Sequence, residues 1–384
     1  MPLIRKNYTL SSYSNNSWII EIFGQHFIIN QDSKKLLDIL SVSENYDEAV
    51  LKFNSSFNDN LNKENFLELV KNIFSKIPIF ETDSEDMESN KNFIKFQKPI
   101  IKSKLAAELI YPFMVLFNKK IFWIFFVLLS IIATIIIITT PFSLLSKESF
   151  LWTLLLYTPT VLLHELGHIA ACKKYTGKNG DIGVGIYFIF PVFYSDVSAV
   201  WHATKEERVI VNLSGIYMQL LSMLIFITMF FVLKNNLFLQ MAYILAIYSF
   251  VQLIPFVRSD GYWLLSDVSS TPNLQDRSNG IVMTLLKSPI NILKNLTPKN
   301  IFILLYGLFN TFILTYFIFT QIVFKWREII NFPFLILDIV KKIFAFEFSQ
   351  IQFSPTIITT IVFIMIIYNF VKKITISIKK KFST

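Results

Sequence analysis

His164-Glu165-Leu166-Gly167-His168 sets two imidazoles four residues apart with a carboxylate beside the first. On an α-helix, residues i and i+4 project from one face, so both rings can share a single metal ion. Glu165 is then positioned to take a proton from a water polarised by that ion. The chain has four histidines, His26, His164, His168 and His202, and half of them fall in this motif. Its flanks, Leu151 to Leu163 and Ile169 to Ala171, have membrane composition. Ionisable side chains at membrane depth are costly and are kept there for a function. The chemistry expected is metal-assisted hydrolysis within a bilayer.

The elements that must hold such a site are membrane helices. The chain of 384 residues is 53% hydrophobic with 40 phenylalanines, and its mean hydropathy is +0.51. That is too apolar for a soluble protein of this length. The fold class expected is a multi-pass α-helical membrane protein of about six spans, each near the roughly 20 residues a bilayer requires. The spans run about Ile121 to Thr140, Phe150 to Cys172 with the motif, Val209 to Leu233, Leu237 to Phe256, Ile301 to Phe324 and Ser354 to Val371. Phe332 to Phe346 is interrupted by Asp338, Lys341 and Lys342 and reads as a helix lying at the interface. Arg5 and Lys6 lead into polar sequence from Tyr8 to Ser17, unlike a signal peptide. The single cysteine, Cys172, excludes an intramolecular disulfide and a Cys-rich zinc site.

Orientation follows from the basic residues. Lys102, Lys104, Lys119 and Lys120 precede the first span, while Lys173, Lys174, Lys178, Lys205 and Arg208 follow the second. Arg258, Arg277, Lys287, Lys294 and Lys299 lie between the fourth and fifth, and Lys372, Lys373 and Lys379 to Lys381 follow the last. In a six-span arrangement all fall on one side, so both termini are expected to be cytoplasmic; Lys325 and Arg327 run against the rule. The net charge of +9 is thereby assigned to lipid headgroups and not to nucleic acid.

A catalytic zinc site ordinarily takes three protein ligands. The position six residues after His168, where a third histidine would continue the helix motif, is Lys174. Glu206 and Glu207 sit among Lys205 and Arg208 in a stretch that reads as a loop. Asp260 is the better candidate, at the same end of the fourth span as the histidines are of the second. Pro255 is expected to break the helix before it, and Gly261 permits close backbone approach. The rival reading pairs Asp260 with Arg258, and Asp267 is a weaker ligand candidate or a helix cap.

These segments resemble the site-2 protease family of intramembrane zinc metalloproteases, which carry His-Glu-x-x-His on one transmembrane helix and a downstream Asp-Gly on another. The resemblance implies one Zn2+ ion held by His164, His168 and Asp260, with Glu165 as catalytic base. Gln252-Leu-Ile-Pro255 stands where that family has an Asn-x-x-Pro element, implying a substrate-binding part for Gln252, Pro255 and Gly261 with a longer amide side chain. The peptide zinc metalloprotease subgroup is closer still, through Tyr194-Ser-Asp196-Val-Ser-Ala-Val-Trp201, Ser214-Gly215 and Asp260-Gly-Tyr-Trp-Leu-Leu-Ser-Asp267. The likeness runs from about Leu151 to Leu274. Ile182 to Tyr194, with Gly183, Gly185 and Pro191, is too short to span as a helix and reads as a membrane-dipping hairpin or a buried loop. Asp196 and His202 are left outside the ligand set.

Residues 1–80 differ in kind. Trp18 to Phe23 and His26 to Ile29, hinged at Gly24-Gln25, read as a strand pair. Asp32 or Ser33 can cap a helix through Leu40, and Tyr46 to Phe53 and Lys63 to Ile77 follow as helices, the last with Phe66, Leu67, Val70, Ile73 and Phe74 on one face. A small α+β winged-helix-like cytoplasmic domain results, and its element order resembles the PqqD-like domain that grips leader segments of ribosomally made peptides. Its basic residues are matched by acids such as Glu21, Asp38, Asp47 and Glu68, a poor surface for phosphates. Residues 81–120 read as an acidic linker with a basic juxtamembrane end, 121–371 as the protease domain and 372–384 as a basic tail. The expected partners are membrane lipid and a peptide or membrane-protein substrate, foremost a ribosomal peptide precursor. Release of a membrane-anchored regulator or removal of signal-peptide remnants is the alternative, and a non-proteolytic part in peptide export or immunity is a third.

Overall fold

Three asparagines begin the helices of the N-terminal region. The computed structural model describes residues 4, 7–14, 16–23, 25–75, 77–80, 94–140, 150–187, 190–256, 258–289, 297–345 and 355–382. It forms two compact units, Met1–Pro272 and Asn273–Thr384. At the N-terminus, β1 (Thr9–Ser14), β2 (Ser17–Ile22) and β3 (Gln25–Asn30) make an antiparallel meander. The expected strand pair is β2 and β3. β1 is additional: Ser11, Ser12 and Ser14 read as loop composition, and pairing with β2 makes them a strand. The hinge residue Gly24 lies outside the described residues.

Helices α1 (Gln31–Val42), α2 (Tyr46–Phe57) and α3 (Lys63–Ile73) follow, and the side chains of Asn30, Asn45 and Asn62 accept from the backbone amides of Ser33, Glu48 and Asn65. Asn30 thus takes the capping part expected of Asp32 or Ser33, because the helix starts at Gln31; Asp32 instead meets the helix dipole in the first turn. Ile20, Ile22, Leu36, Leu37, Leu40, Phe53, Phe66, Val70 and Phe74 close the core of this region.

The expected linker is structured over part of its length. Ile94–Ile101 forms β4, Ser103–Ile110 forms α4, and a 3-10 turn runs from Tyr111 to Phe117; residues 81–93 lie outside the described residues. Lys95 and Lys98 hide the strand from a reading of composition, but β4 is paired along β5 (Ile182–Tyr187). β5 pairs in turn with β6 (Phe190–Ser195), so the apolar stretch after the motif is a hairpin and β5 is the middle strand of the sheet.

α6 (Phe150–Thr176) packs on β6, and α7 (Lys205–Leu233) packs against α5 (Lys119–Thr139), α6, α8 (Asn236–Val251) and the short α9 (Asp260–Val268). A 3-10 turn, Ser198–His202, leads into α7 through a capping box of Thr204 and Glu207. Ile169, Ala170 and Ala171 of α6 share one buried cluster with Val211 and Tyr217 of α7 and Met241 and Leu245 of α8. The second unit comprises α10 (Leu274–Lys287), α11 (Pro298–Phe324), α12 (Trp326–Phe344) and α13 (Pro355–Phe382). α12 is a helix separate from its neighbours, and α13 carries the lysines of the expected tail as helix up to Phe382.

Among the described residues, α5, α7 and α11 are the helices long and apolar enough to cross a membrane, while α8 and residues Thr356–Lys372 are shorter apolar helices. Outward-facing Ile124, Phe125, Val127, Leu128, Ile131 and Ile135 on α5 make an apolar surface that water disfavours and lipid accepts. The protein is therefore a membrane protein. α6 has the length to span but carries Thr153, Thr158, Pro159 and the motif itself, which lower its hydropathy, and α8 stops at Val251.

Candidate metal centre

The i, i+4 spacing on α6 brings the rings of His164 and His168 together, with their Nε2 atoms 3.1 Å apart. Asp260, at the start of α9, completes the group: Oδ2 lies 3.3 Å from His164 Nε2 and Oδ1 lies 3.5 Å from His168 Nε2. Both histidines and Glu165 are buried. Donors bound tetrahedrally at about 2.0–2.1 Å stand roughly 3.3 Å from one another. The three separations here scatter around that edge length, so the donors already surround one centre.

Two further observations test the fit to a zinc ion. Among the described residues Asp260 Oδ2 is buried without a hydrogen-bond partner, a costly arrangement unless a cation satisfies it. Gly215 of α7 forms the floor: a Cβ there would lie 2.4 Å from His168 Nε2 and 2.5 Å from His164 Nε2. Only a glycine lets α7 pass so near the donors. The residues fit the ion. Gly215→Ala is expected to lower zinc affinity by roughly 10–100-fold, as changes just outside a ligand set do. Competition against a chromophoric chelator would read it, and unchanged affinity would mean that the rings can move aside.

The backbone of α7 also fixes the His168 tautomer. His168 Nδ1 lies 2.8 Å from the Val211 carbonyl, which can only accept, so Nδ1 carries the proton and Nε2 keeps its lone pair for a metal. Ser214 Oγ donates to the same carbonyl at 2.6 Å. The Val211 carbonyl was not legible in the sequence, since the motif says nothing of which backbone atom crosses behind the ring.

Asp260 is delivered by a closed turn. α8 ends at Val251, three residues earlier than Pro255 alone requires, and the Gln252 carbonyl accepts from Gly261 N at 2.9 Å and from Ser259 Oγ at 3.0 Å. A Cβ on Gly261 would lie 2.2 Å from the Leu253 carbonyl oxygen, so the close approach expected of this glycine is present. Gln252, Pro255 and Gly261 are therefore residues of the turn that carries Asp260, and the Gln252 Oε1 is buried without a hydrogen-bond partner among the described residues. Asp260 faces the histidines, while the Arg258 guanidinium lies over the Tyr262 ring, 5.9 Å from its centroid.

Asp267 is neither ligand nor cap. Arg208 Nε donates to its Oδ1 at 2.7 Å and Asn212 Nδ2 to its Oδ2 at 2.7 Å. A cationic partner on α7 was available, and it takes the carboxylate away from the metal group. Glu206 and Glu207 pair with Lys119 at 3.2 and 3.3 Å. Asp196 accepts from Ser198 N and Oγ within its own turn. His202 joins Glu21 and Ser11 of the N-terminal sheet. Of the residues singled out from sequence, His164, His168 and Asp260 converge, with Glu165 next to the first.

Among known proteins, the chain is 28% identical over 201 residues to the "Putative peptide zinc metalloprotease protein YydH" of Bacillus subtilis (strain 168), covering 49% of this chain and 76% of that relative. No family model matches the chain. No solved structure matches it.

Proposed function

We propose that the protein is an intramembrane zinc endopeptidase of the site-2 protease type that hydrolyses peptide bonds of a short ribosomally made peptide. The observation that carries this reading is the convergence of His164, His168 and Asp260 on one centre, buried within apolar helices and flanked by Glu165. The name given to the Bacillus subtilis relative agrees with it. A zinc ion held by these three residues would supply Lewis-acid polarisation of the scissile carbonyl and an acidified water. Glu165 would accept a proton at its carboxylate and return it to the leaving amine. Gly215 and the Val211 carbonyl keep the rings oriented throughout.

In this reading α6, α8 and α13 join α5, α7 and α11 as six spans, α12 lies at the interface, and both termini are cytoplasmic. The sheet β4-β5-β6 offers its outer strand β6 to an extended substrate, because a helix must unwind before its peptide bonds are accessible. Gln252, in the turn beside Asp260, contributes an amide to substrate positioning. Residues 1–80 act as a PqqD-like module gripping the leader of the peptide. The competing substrates are a membrane-anchored regulator and a signal-peptide remnant.

Purified protein in lipid nanodiscs tests this. Asp260→Ala is expected to release the zinc of this site, read by metal analysis, and to abolish cleavage. Deleting residues 1–80 is expected to abolish processing of a leader-bearing peptide. Cleavage of an anchored substrate alone would favour the competing reading, and full cleavage by Asp260→Ala would overturn the ligand set.

A further inference from the structure

Each of the four histidines of the chain belongs to one of two groups of potential metal donors. The second group lies where the N-terminal sheet meets the turn before α7. We infer that Glu21, His26 and His202 form a second site for a zinc-class divalent cation, one that clamps the β2–β3 hairpin to the turn before α7.

The geometry is built by pairing. Glu21 and His26 stand directly opposite each other across β2 and β3, which fixes two donors on one face of the sheet. His202 comes from the 3-10 turn Ser198–His202, and the donor atoms of all three residues lie within 4.8 Å of one another. His202 Nε2 is 2.9 Å from Glu21 Oε2, while Ser11 Oγ holds its Nδ1 at 2.7 Å. A ligating histidine is commonly fixed this way through its other nitrogen.

His26 Nε2 is the atom the fold alone leaves unexplained. Among the described residues it is buried without a hydrogen-bond partner, although the ring lies 5.3 Å from that of His202 and stacks on Trp201 at 6.4 Å. Two imidazoles and one carboxylate are a zinc donor set, leaving one position for water. A cleft of about 240 Å³ lined by Asn7, Tyr8, Thr9, Glu21, Phe23 and Lys178 gives an entry path to the carboxylate. Thr9 Oγ1 donates to Glu21 Oε2, and Lys178 Nζ lies 3.6 Å from it. The Lys178 side chain is 60% exposed and can swing away when a cation replaces it.

The test separates this site from the first by working in the His164→Ala/His168→Ala background. Equilibrium dialysis of the full-length chain against Zn2+, followed by metal analysis, is expected to give one equivalent. His26→Phe keeps the stacking ring and removes the donor, and together with Glu21→Gln should take that equivalent to none. Zinc should also slow amide exchange across β2, β3 and Ser198–His202 in the background protein and not in the His26→Phe protein. No zinc bound by the background protein, or zinc and protection that survive both changes, would overturn the site. Neither result bears on the first centre, since its histidines are absent throughout.

Discussion

Glu165→Gln is expected to keep zinc and to lose peptide cleavage by about 10²–10⁴-fold, the range a positioned general base contributes. The amide matches the carboxylate in volume, so the buried packing around it is preserved, but it cannot accept the proton. His164, His168 and Asp260 are untouched, and His168 remains held by Val211. Single-turnover cleavage measured beside metal content would read both halves on one sample. Cleavage at the native rate would remove Glu165 from the reaction. Loss of zinc together with activity would make Glu165 part of the metal's support instead. The same variant serves as a trap, because a peptide that binds and is not cut should co-purify.

The chemistry of the centre was more legible in the sequence than its support. The i, i+4 histidines need only a helix to meet, and an aspartate after Gln252-Leu-Ile-Pro255 needs only a turn, so three donors follow from local rules. What orients them is not local. Val211 lies 43 residues from His168 and acts through its backbone carbonyl, which its side chain does not advertise. Gly215 was noticed as part of a resemblance, but its reason is steric and appears only when α7 is laid against α6. Strands were hidden the same way: the serines of β1 and the lysines of β4 carry loop composition, and it is β2 and β5 that make them strands. The expected span from Phe150 to Cys172 is a helix, α6, but the polar residues of the motif lower its hydropathy below that of α5, α7 and α11.

Arg208→Met is expected to destabilise the protein by about 3–5 kcal/mol, the cost of breaking a buried ion pair from one side. Arg208 is among the largest fully buried side chains of the chain. It donates to Asp267 at 2.7 Å and to the Ala203 carbonyl at 2.8 Å, and it lies over the Tyr13 ring 4.1 Å from its centroid. Removing it leaves the buried Asp267 carboxylate with Asn212 as its remaining side-chain donor among the described residues. The double change Arg208→Met/Asp267→Leu removes both charges, and most of the loss should be recovered, as apolar replacements of buried pairs commonly allow. The unfolding midpoint of the three proteins in matched detergent would read this, and a double variant no more stable than Arg208→Met would show that the cost lies in packing. Zinc affinity should follow stability here. Asp267 and Asp260 occupy opposite ends of the nine-residue helix α9, so a helix loosened at Asp267 presents Asp260 less firmly to the histidines. Tyr13, on β1, reaches the same arginine from the N-terminal sheet. One buried guanidinium therefore joins the seat of that sheet to the helix that carries Asp260.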